Sequence, residues 1–477
     1  MDNHAFNAIS TVDGRYWDKV KELSEPFSEK GLMRRRLVLE VEFFILLLTE
    51  GPERTRHDLS LVFKQSLRDL YMNFSDEDMA RIKEIEKTSE HDVKAVENFL
   101  KEKISVFGHP ELKEFVHMGL TSEDVNNFGY ALQSRDGFSI IMKKIDENIN
   151  WLEKFSIAEA DTVMLAHTHG QPATGTTLGK ETRVFVERMK DQRVEMVRLT
   201  WPVKLTGATG NGSTLCLIDP NFDWDGFISV LIQRVYHHSP TIEHMGAADT
   251  LLEFKKCMYN TQIESHDAYA RICNATKVMN TIFLDLEKDI WTYISFGYFN
   301  LKFTKGSTGS TAMPQKVNPI DFENAEGNLG KANALFEHLA ATLPISRMQR
   351  HLSDSTLMRG MGEPHALSLI AYKATLKGLE KLLPDRNKMK EDLNTNPGTL
   401  SEALQLILRL ENYPNPYDKV KELTRGDKKI TLEAIREFIS GLEISEISKR
   451  QLLDLTPETY IGFAPSLARG EGFGKKS

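Results

Sequence analysis

A stretch rich in glycine and hydroxyl side chains, residues 308–319, has the composition of an active-site loop. Gly309 allows positive φ angles that would place Ser310 at the tip of the loop, and Asn318 followed by Pro319 is typical of a helix N-cap and first helical residue. The free N–H groups of a helix N-terminus bind anions. A solvated linker between two helices has the same residue types, so composition alone leaves both interpretations open.

Two histidines occur in a second stretch, residues 166–174, between segments with helical patterns. His169 precedes Gly170, and a loop histidine held by hydroxyl and amide neighbours is suited to protonate a leaving atom, because its pKa lies near neutrality. A purely structural histidine is the alternative. No acidic or cysteine residues lie at metal-ligand spacing beside these histidines, so we expect neither a metal site nor a cofactor.

Four more polar stretches carry candidate binding residues, at residues 88–95, 117–122, 261–267 and 346–359. Acidic residues flank His91 in the first stretch and could orient the ring or a ligand. Hydroxyl groups at a helix start, as in the second, favour an anion through free backbone N–H groups. Arginines alternate with hydroxyl residues in the fourth, which matches phosphate or carboxylate recognition. Ordinary helix caps explain the first three stretches equally well.

Two shorter stretches also have the residue types of binding loops. Residues 13–16 place Arg15 beside Tyr16, a pair that could clamp a phosphate or lie against a base. Residues 207–212, Gly-Ala-Thr-Gly-Asn-Gly, resemble a phosphate-binding loop in composition. They lack the Gly-Lys-Ser/Thr ending and a strong preceding strand, so we predict a turn between helices instead.

The composition indicates a globular protein with a large core. The chain has 477 residues, of which 40% are hydrophobic and 27% charged. A formal net charge of −8 argues against a dedicated nucleic-acid binder, which needs a basic surface. The three cysteines have neither the number nor the spacing of a disulfide framework or zinc site. The N-terminus lacks a signal-peptide pattern and no apolar run reaches the roughly 18 residues of a membrane span, so we predict a cytoplasmic protein without membrane contact.

Long apolar periodicities predict the elements that position these residues. Apolar side chains recur every three or four residues over residues 272–293, 325–343 and 369–383, which predicts bundle helices. Alternating strand patterns are scarce, so we predict an all-α fold. Helices with apolar residues on more than one face need neighbours on several sides, which favours a homo-oligomer. The predicted domains are an N-terminal helical domain at residues 1–123, a central bundle at 124–385 and a C-terminal helical domain at 386–477.

The polar stretches together resemble one enzyme superfamily. Residues 309–319 match the Gly-Ser-x-x-Met-x-x-Lys-x-Asn-Pro signature of the fumarase/aspartase superfamily. Within it, the chain is similar over nearly its whole length to the adenylosuccinate lyase family of bacterial type. The stretches that carry this similarity are residues 13–16, 91–97, 121–124, 168–174, 320–324 and 423–426.

This resemblance implies a fold, an assembly and a reaction. The fold would be all-α with three domains, and its long central bundle would form the core of a homotetramer in which three subunits contribute to each active site. The reaction would be β-elimination of fumarate by general acid/base catalysis, from adenylosuccinate to give AMP and from the succinocarboxamide ribotide SAICAR to give AICAR. Small molecules are the expected ligands, and no metal is implied.

The resemblance also implies roles for individual residues. Ser310 would be the general base, and His169 the general acid that protonates the departing nitrogen. His91 would contact the substrate phosphate or assist His169, and Lys316 with Asn318 would stabilise the doubly charged aci-carboxylate. The other positions implied to contact the nucleotide or the succinyl group are Arg15, Tyr16, Glu90, Asp92, Thr121, Ser122, Thr168, Gln262, Val317, Asn324, Arg350, Ser355, Thr356, Leu357, Met358 and Arg359.

Some positions depart from the family pattern. Gln315 stands where histidine or tyrosine is usual, Thr311 stands where a second serine is common, and Glu90 replaces a frequent asparagine. Glutamine at position 315 is similar to the residue found there in the argininosuccinate lyase family. That family is the alternative within the superfamily. A non-catalytic structural member is the alternative of another class, and the presence of both Ser310 and His169 argues against it.

Overall fold

The computed structural model describes residues 3–238, 253–302, 313, 316–424 and 430–474, and helices make up most of them. The predicted all-α class is confirmed. The helices are α1 (Trp17–Val20), α2 (Ser24–Phe27), α3 (Glu29–Glu50), α4 (Leu61–Met72), α5 (Asp76–Ser89), α6 (Asp92–Val106), α7 (Ser122–Ala158), α8 (Leu178–Val197), α9 (Ser213–Ile218), α10 (Trp224–His238), α11 (Asp267–Ser295), α12 (Ile320–Thr342), α13 (Ser353–Arg359), α14 (Gly362–Leu379), α15 (Arg386–Asn394), α16 (Ser401–Leu410), α17 (Pro416–Thr424), α18 (Leu432–Ser440), α19 (Glu446–Leu453) and α20 (Ala464–Arg469). The strands are β1 (Val163–Thr168), β2 (Gln171–Thr177), β3 (Trp201–Val203), β4 (Phe254–Lys256), β5 (Phe299–Leu301) and β6 (Leu382–Pro384). No helix among the described residues is long and apolar enough to cross a membrane.

The three predicted bundle segments lie in helices, with differences at two ends. Residues 272–293 lie within α11, whereas α12 ends at Thr342, one residue before the end of the second run. The third run is predicted to continue as helix to residue 383, but α14 ends at Leu379. The residues that follow form β6, which pairs antiparallel with β5. Helical periodicity does not reveal this ending, because the pairing strand is remote in the sequence.

The chain divides into two compact units, each built from three segments. The first unit comprises residues 1–145, 192–281 and 325–373, and the second comprises residues 146–191, 282–324 and 374–477. The three-domain division expected from the sequence stays a prediction. Because the segments alternate along the chain, the candidate site residues are distributed over both units.

α3 forms the centre of the first unit. Residues 35–48 are all buried, and α4, α6 and α10 contact this helix. Four charged residues lie inside this otherwise apolar segment, namely Arg35, Arg36, Glu40 and Glu42. Buried charges are costly unless they are paired, so each needs a partner from another element. α3 therefore brings charged groups into the interior, where they organise polar clusters.

The second unit contains a β-hairpin that the sequence pattern does not predict. β1 and β2 pair antiparallel over residues 163–177, where the sequence predicts a loop between helices. α15 and α20 contact the hairpin. Further along the chain, α16, α18 and α19 share an apolar core that includes Leu404, Ile435 and Leu452. The hairpin is thus a short β element supported by surrounding helices.

Candidate functional site

His169 lies at the tip of the hairpin in the second unit. Thr168 pairs with Gln171, so His169 and Gly170 form a two-residue turn. Their φ angles are 54° and 71°, and a turn with two positive φ angles matches the right-handed twist of paired strands. The left-handed conformation costs a non-glycine residue about 1–2 kcal/mol, so the strand pairing must hold it. The hairpin thereby presents an exposed His169 side chain at a defined place.

The other predicted residues of the second unit lie at the start of α12. The helix begins one position later than the sequence predicts, at Ile320, because the N–H groups of Phe322 and Glu323 donate to the carbonyl oxygen of Pro319 at 3.1 and 3.2 Å. Pro319 therefore occupies the capping position. The predicted contacts before and within the first turns of this helix are Lys316, Val317, Asn318 and Asn324. Gly309, Ser310, Thr311 and Gln315 lie outside the described residues.

Asp92 joins two arginines in the first unit. It is the first residue of α6, and its Oδ2 lies 2.8 Å from Nη1 of Arg36 and accepts a hydrogen bond from Nη2 of Arg359. Arg359 also approaches Glu29, at 3.5 Å. Burial raises the pKa of the Asp92 carboxyl, but Arg36 and Arg359 outweigh burial and bring it to about 2. Asp92 is therefore ionised and holds Arg359 at the end of α13.

Arg36 is a member of this cluster that the sequence reasoning did not select. Its side chain is completely buried in α3. A usable signal exists in the sequence, because three consecutive arginines at residues 34–36 interrupt a strongly apolar helix. A charged residue on a buried face generally has a specific partner. The identity of that partner, Asp92, depends on a contact between residues far apart in the chain.

His91 caps α6. Its Nδ1 accepts a hydrogen bond from the backbone N–H of Lys94 at 3.3 Å, and the ring is about half exposed. Accepting at Nδ1 places the proton of the neutral ring on Nε2. Glu90 precedes it with a φ of 49° and is the C-cap of α5. Nδ1 of His91 therefore caps the helix, and Nε2–H can donate a hydrogen bond to a ligand.

The cap at His91 gives a stability prediction. His91→Ala is expected to lower the free energy of unfolding by about 1 kcal/mol, whereas His91→Asn should change it by only a few tenths, because asparagine also caps helices. Urea denaturation of the two variants measures this difference. Ser60→Ala is the matched control, because Ser60 Oγ caps α4 in the same way, accepting from Phe63 N–H at 3.1 Å. Equal stability of the two His91 variants would contradict the capping role.

Arg350 connects three further side chains of the first unit. Its Nη1 donates to Oε1 of Gln262 at 3.2 Å, and its Nη2 lies 3.1 Å from Glu123 and 3.4 Å from Asp354. Gln262 in turn donates through Nε2 to the carbonyl oxygen of Ala208 at 2.9 Å. Burial raises the pKa of the Glu123 carboxyl, and Arg350 opposes this effect. The guanidinium is thus held in place by three partners before any ligand binds.

His266 lies close to Asp354, the carboxylate that also pairs with Arg350. It is not among the residues predicted from the sequence. The ring is 1% exposed, its Nε2 lies 3.8 Å from Asp354, and its Nδ1 lies 3.7 Å from Glu264. Burial raises the pKa of the Asp354 carboxyl, but the nearby His266 ring and the charge of Arg350 lower it below its usual value. The polar stretch 261–267 was a signal for a site here. It did not distinguish His266 from its neighbours, because the burial of this side chain depends on tertiary contacts such as the approach of Asp354.

The start of α7 is held from both sides. Thr121 and Ser122 are half-buried there, and the N–H of Thr121 donates to Oδ2 of Asp124 at 2.9 Å. On the other side of this segment, Nδ1 of His117 lies 2.5 Å from Oε1 of Glu40. Burial lowers the pKa of the His117 imidazole, but the Glu40 carboxylate outweighs burial and raises it. The helix N-terminus, which favours anions, is therefore fixed in the first unit.

α13 carries the remaining predicted residues with different exposures. Met358 is 3% exposed and contributes its side chain to the core, so only its backbone remains for a ligand. Ser355 and Leu357 are half-buried, and Thr356 is exposed. Arg359 is the last residue of the helix. The helix therefore offers hydroxyl groups and one guanidinium to a ligand rather than all five predicted side chains.

The N-terminal stretch lies beside Arg359. A cavity of about 530 Å³ is lined by Asp13, Trp17, Phe27 and Arg359, among others. Arg15 is exposed and Tyr16 is half-buried in the turn that lines this cavity. The structure thus brings the predicted stretches around residues 13–16, 91–92 and 350–359 together in the first unit. Among the described residues, no three His, Cys, Asp or Glu side chains lie close enough to hold a metal ion.

Unusual backbone angles concentrate in the selected stretches. Seven non-glycine residues of the described chain have φ angles between 47° and 62°. Five of them, Glu90, His117, His169, His266 and Met348, lie in stretches singled out by their polar residue types. Strained residues persist only where surrounding contacts hold them, and they concentrate at functional sites. The backbone therefore supports the choice of these stretches independently of their side chains.

Two family models match the chain. One is described as lyase and matches residues 14–333, and the other is described as adenylosuccinate lyase C-terminal and matches residues 346–461. Every site residue predicted from the sequence falls within one of these two ranges.

Curated relatives match almost the whole chain. The adenylosuccinate lyase of Dictyostelium discoideum is 44% identical over 96% of this chain and 97% of that protein. The adenylosuccinate lyase of Legionella pneumophila (strain Corby) is 42% identical over 98% of each chain. The adenylosuccinate lyase of Escherichia coli (strain K12) is 39% identical over 97% of this chain and 98% of that protein.

Solved structures share the fold at low identity. A fumarate lyase from Mesorhizobium sp. BNC1 aligns with a TM-score of 0.71 and 17% identity, covering 94% of this chain and 97% of that chain. A 3-carboxy-cis,cis-muconate lactonizing enzyme from Pseudomonas putida aligns with a TM-score of 0.68 and 18% identity, covering 94% and 95%. The helical architecture described above is therefore shared with known enzymes.

Proposed function

We propose that this chain, which belongs to the adenylosuccinate lyase family, removes fumarate from two substrates. Adenylosuccinate would give AMP, and SAICAR would give AICAR. The observation that carries this proposal is the identity of 39–44% to curated adenylosuccinate lyases over nearly the full length of both chains. The chain is a lyase, and its substrates are small molecules.

The proposed reaction moves one proton off carbon and one onto nitrogen. Ser310 removes the proton from the carbon next to a succinyl carboxylate, which leaves a doubly charged aci-carboxylate. Lys316 and Asn318 stabilise that charge. The C–N bond then breaks as the C=C bond of fumarate forms, and His169 donates a proton to the departing nitrogen. An exposed imidazole at the tip of a paired hairpin supports the role of His169, because a general acid must be held within reach of its acceptor.

The polar clusters of the first unit are the proposed binding surface for the anionic parts of the substrate. Arg350 and Arg359 are each held by carboxylates and are therefore oriented before the substrate arrives. The start of α7 adds the hydroxyl groups of Thr121 and Ser122 and the N-terminal end of a helix, which favours anions. Such preorganised donors lower the entropic cost of ordering a phosphate or carboxylate. His91 would contribute its Nε2–H in the same region.

We also propose that the chain forms a homotetramer whose active sites are shared between subunits, and that it acts in the cytoplasm. Val278 and Trp291 on α11 are 46% and 48% exposed, and each is a large apolar side chain that association would cover. On α12, a Cβ atom added at Gly327 or Gly330 would meet no described heavy atom within 4 Å, which leaves room for a close approach of another helix. Analytical ultracentrifugation of the purified chain measures this assembly.

An ultraviolet assay with purified protein tests the proposed reaction. We expect turnover of adenylosuccinate and SAICAR and none of argininosuccinate, because the match to adenylosuccinate lyases covers 96% of the chain. Turnover of argininosuccinate alone would assign the chain to the argininosuccinate lyase family, in which the residue at the position of Gln315 is similar. A folded protein inactive on all three compounds, and on fumarate with ammonia, would indicate a non-catalytic member.

A further inference from the structure

The glycine-rich segment at residues 207–212 has no role in the proposed reaction, yet it contacts two of the proposed substrate-binding segments. The predicted turn is confirmed, with the difference that the short strand β3 precedes it rather than a helix. Gly207, Gly210 and Gly212 have φ angles of 76°, 78° and 64°. Residues 206–211 are called the glycine turn below, and Gly212, which follows them, is the N-cap of α9.

The glycine turn is anchored to the start of α7 by one carboxylate. Oδ1 of Asp124 accepts from the N–H of Thr206 at 3.1 Å, and its Oδ2 accepts from the N–H of Gly207 at 3.2 Å. The same Oδ2 accepts from the N–H of Thr121. Lys204 Nζ neutralises this carboxylate at 2.6 Å, and both side chains are fully buried. Asp124 therefore fixes the distance between the glycine turn and the proposed anion-binding helix terminus.

The other side of the glycine turn touches the segment that carries Gln262. The carbonyl oxygen of Ala208 accepts from Nε2 of Gln262 at 2.9 Å. Oγ1 of Thr206 donates to Oδ1 of Asn260 at 2.5 Å. Gly210 lies so close to this segment that a Cβ atom there would be 2.2 Å from the carbonyl oxygen of Asn260 and 2.6 Å from that of Thr261. Only glycine allows this approach, so the turn sets the backbone position of residues 260–262.

We infer that the glycine turn is a positioning element that fixes Gln262, and through it Arg350, relative to Thr121 and Ser122. The inference rests on the proposed function, because it assigns these side chains to substrate binding. The turn itself contributes no side chain to the substrate. Its effect is geometric, since a displacement of residues 260–262 moves the amide that accepts from Arg350 Nη1, and misplacing a binding group by about 1 Å is enough to lower a reaction rate strongly.

Two alanine substitutions in the same stretch separate this role from backbone strain. Gly210→Ala and Gly212→Ala both place an L-residue at a similar positive φ, but a Cβ at Gly212 would meet nothing within 4 Å. We expect Gly210→Ala to lower kcat/KM on adenylosuccinate at least about tenfold, mainly through KM, and Gly212→Ala to change it less than about threefold. Gly210→Ala should also unfold at a lower temperature than Gly212→Ala, because its Cβ must displace a backbone carbonyl, so the kinetics are compared at a temperature where both variants are folded. Equal kinetic effects of the two substitutions would overturn the inference.

A double-mutant cycle shows whether the glycine turn acts through Gln262. Gln262→Ala should lower kcat/KM by itself. Adding Gly210→Ala should then lower it by less than about threefold more, because both changes remove the contact of a correctly placed Gln262 side chain with Arg350. Full multiplication of the two effects would overturn the inference. A Gln262→Ala variant with unchanged kinetics would instead contradict the proposed substrate role of this segment, so the two failures are distinguishable.

A milder variant keeps the inference testable if Gly210→Ala does not fold. Thr206→Val has nearly the same shape as the native side chain and removes the hydrogen bond to Asn260. We expect it to raise KM for adenylosuccinate about threefold to tenfold, with kcat changed less than about twofold. An unchanged KM in a folded Thr206→Val protein would overturn the inference.

Discussion

Replacing His169 with asparagine is expected to lower kcat on adenylosuccinate by at least about 100-fold while the chain still folds. The loss follows from the removal of the proposed general acid, since the leaving nitrogen then departs without a positioned proton donor. Asparagine is the informative choice because it tolerates the left-handed φ of 54° at the hairpin tip. Steady-state kinetics, together with circular dichroism of the variant, measures the effect.

The control for His169 is the other histidine of the hairpin. His167 lies in β1, where the centroid of its ring is 5.2 Å from that of the Phe296 ring. His167→Asn should keep kcat within about threefold of the unmodified protein, because this histidine has no proposed part in proton transfer. A His169→Asn protein with near-normal turnover would eliminate the residue as the general acid. The same test applied to Ser310→Ala addresses the proposed base.

Arg350→Lys is expected to lower kcat/KM by about 50-fold, mostly through KM. Lysine keeps a positive charge beside Glu123 and Asp354, so the buried carboxylates are not left unpaired. It cannot reproduce a planar fork that contacts Gln262 and two carboxylates at once. The variant should therefore fold but bind the substrate anion poorly, which steady-state kinetics and near-ultraviolet circular dichroism together can show.

Arg347→Lys is the matched control for this substitution. Arg347 lies in the same stretch and is exposed. The change should alter kcat/KM by less than about twofold, because an exposed arginine without a fixed ligand contact is replaceable by lysine. If Arg350→Lys and Arg347→Lys behave alike, the contacts of Arg350 with Gln262, Glu123 and Asp354 have no bearing on substrate binding.

Helical periodicity made the fold class predictable, because α11 and α12 repeat apolar residues at a helical spacing that depends only on local sequence. The hairpin at residues 163–177 was not predictable in this way. Its strands are short, and its turn uses His169-Gly170 rather than the commoner Asn-Gly or Asp-Gly pairs. The strand β6 was missed because its partner β5 lies far away in the sequence.

Polar residue types identified the candidate stretches but not the contacts that their side chains make. The sequence showed that His91 and Arg350 lie in polar segments at helix ends, and the structure places both in the first unit. It did not show that Arg36 from a buried helix would pair with Asp92. Nor did it show that His266 would lie buried between two carboxylates. Both facts depend on tertiary contacts, which single-sequence patterns do not encode.

The left-handed residues of the polar stretches have a consequence for mutagenesis and for sequence drift. Alanine scanning at Glu90, His117, His169, His266 or Met348 would report lost side-chain chemistry and added backbone strain as one number, because alanine is disfavoured at positive φ. Asparagine and glycine relieve part of that strain and so isolate the chemistry. By the same reasoning, substitutions that survive at these positions in a drifting population should be drawn mainly from asparagine, aspartate and glycine.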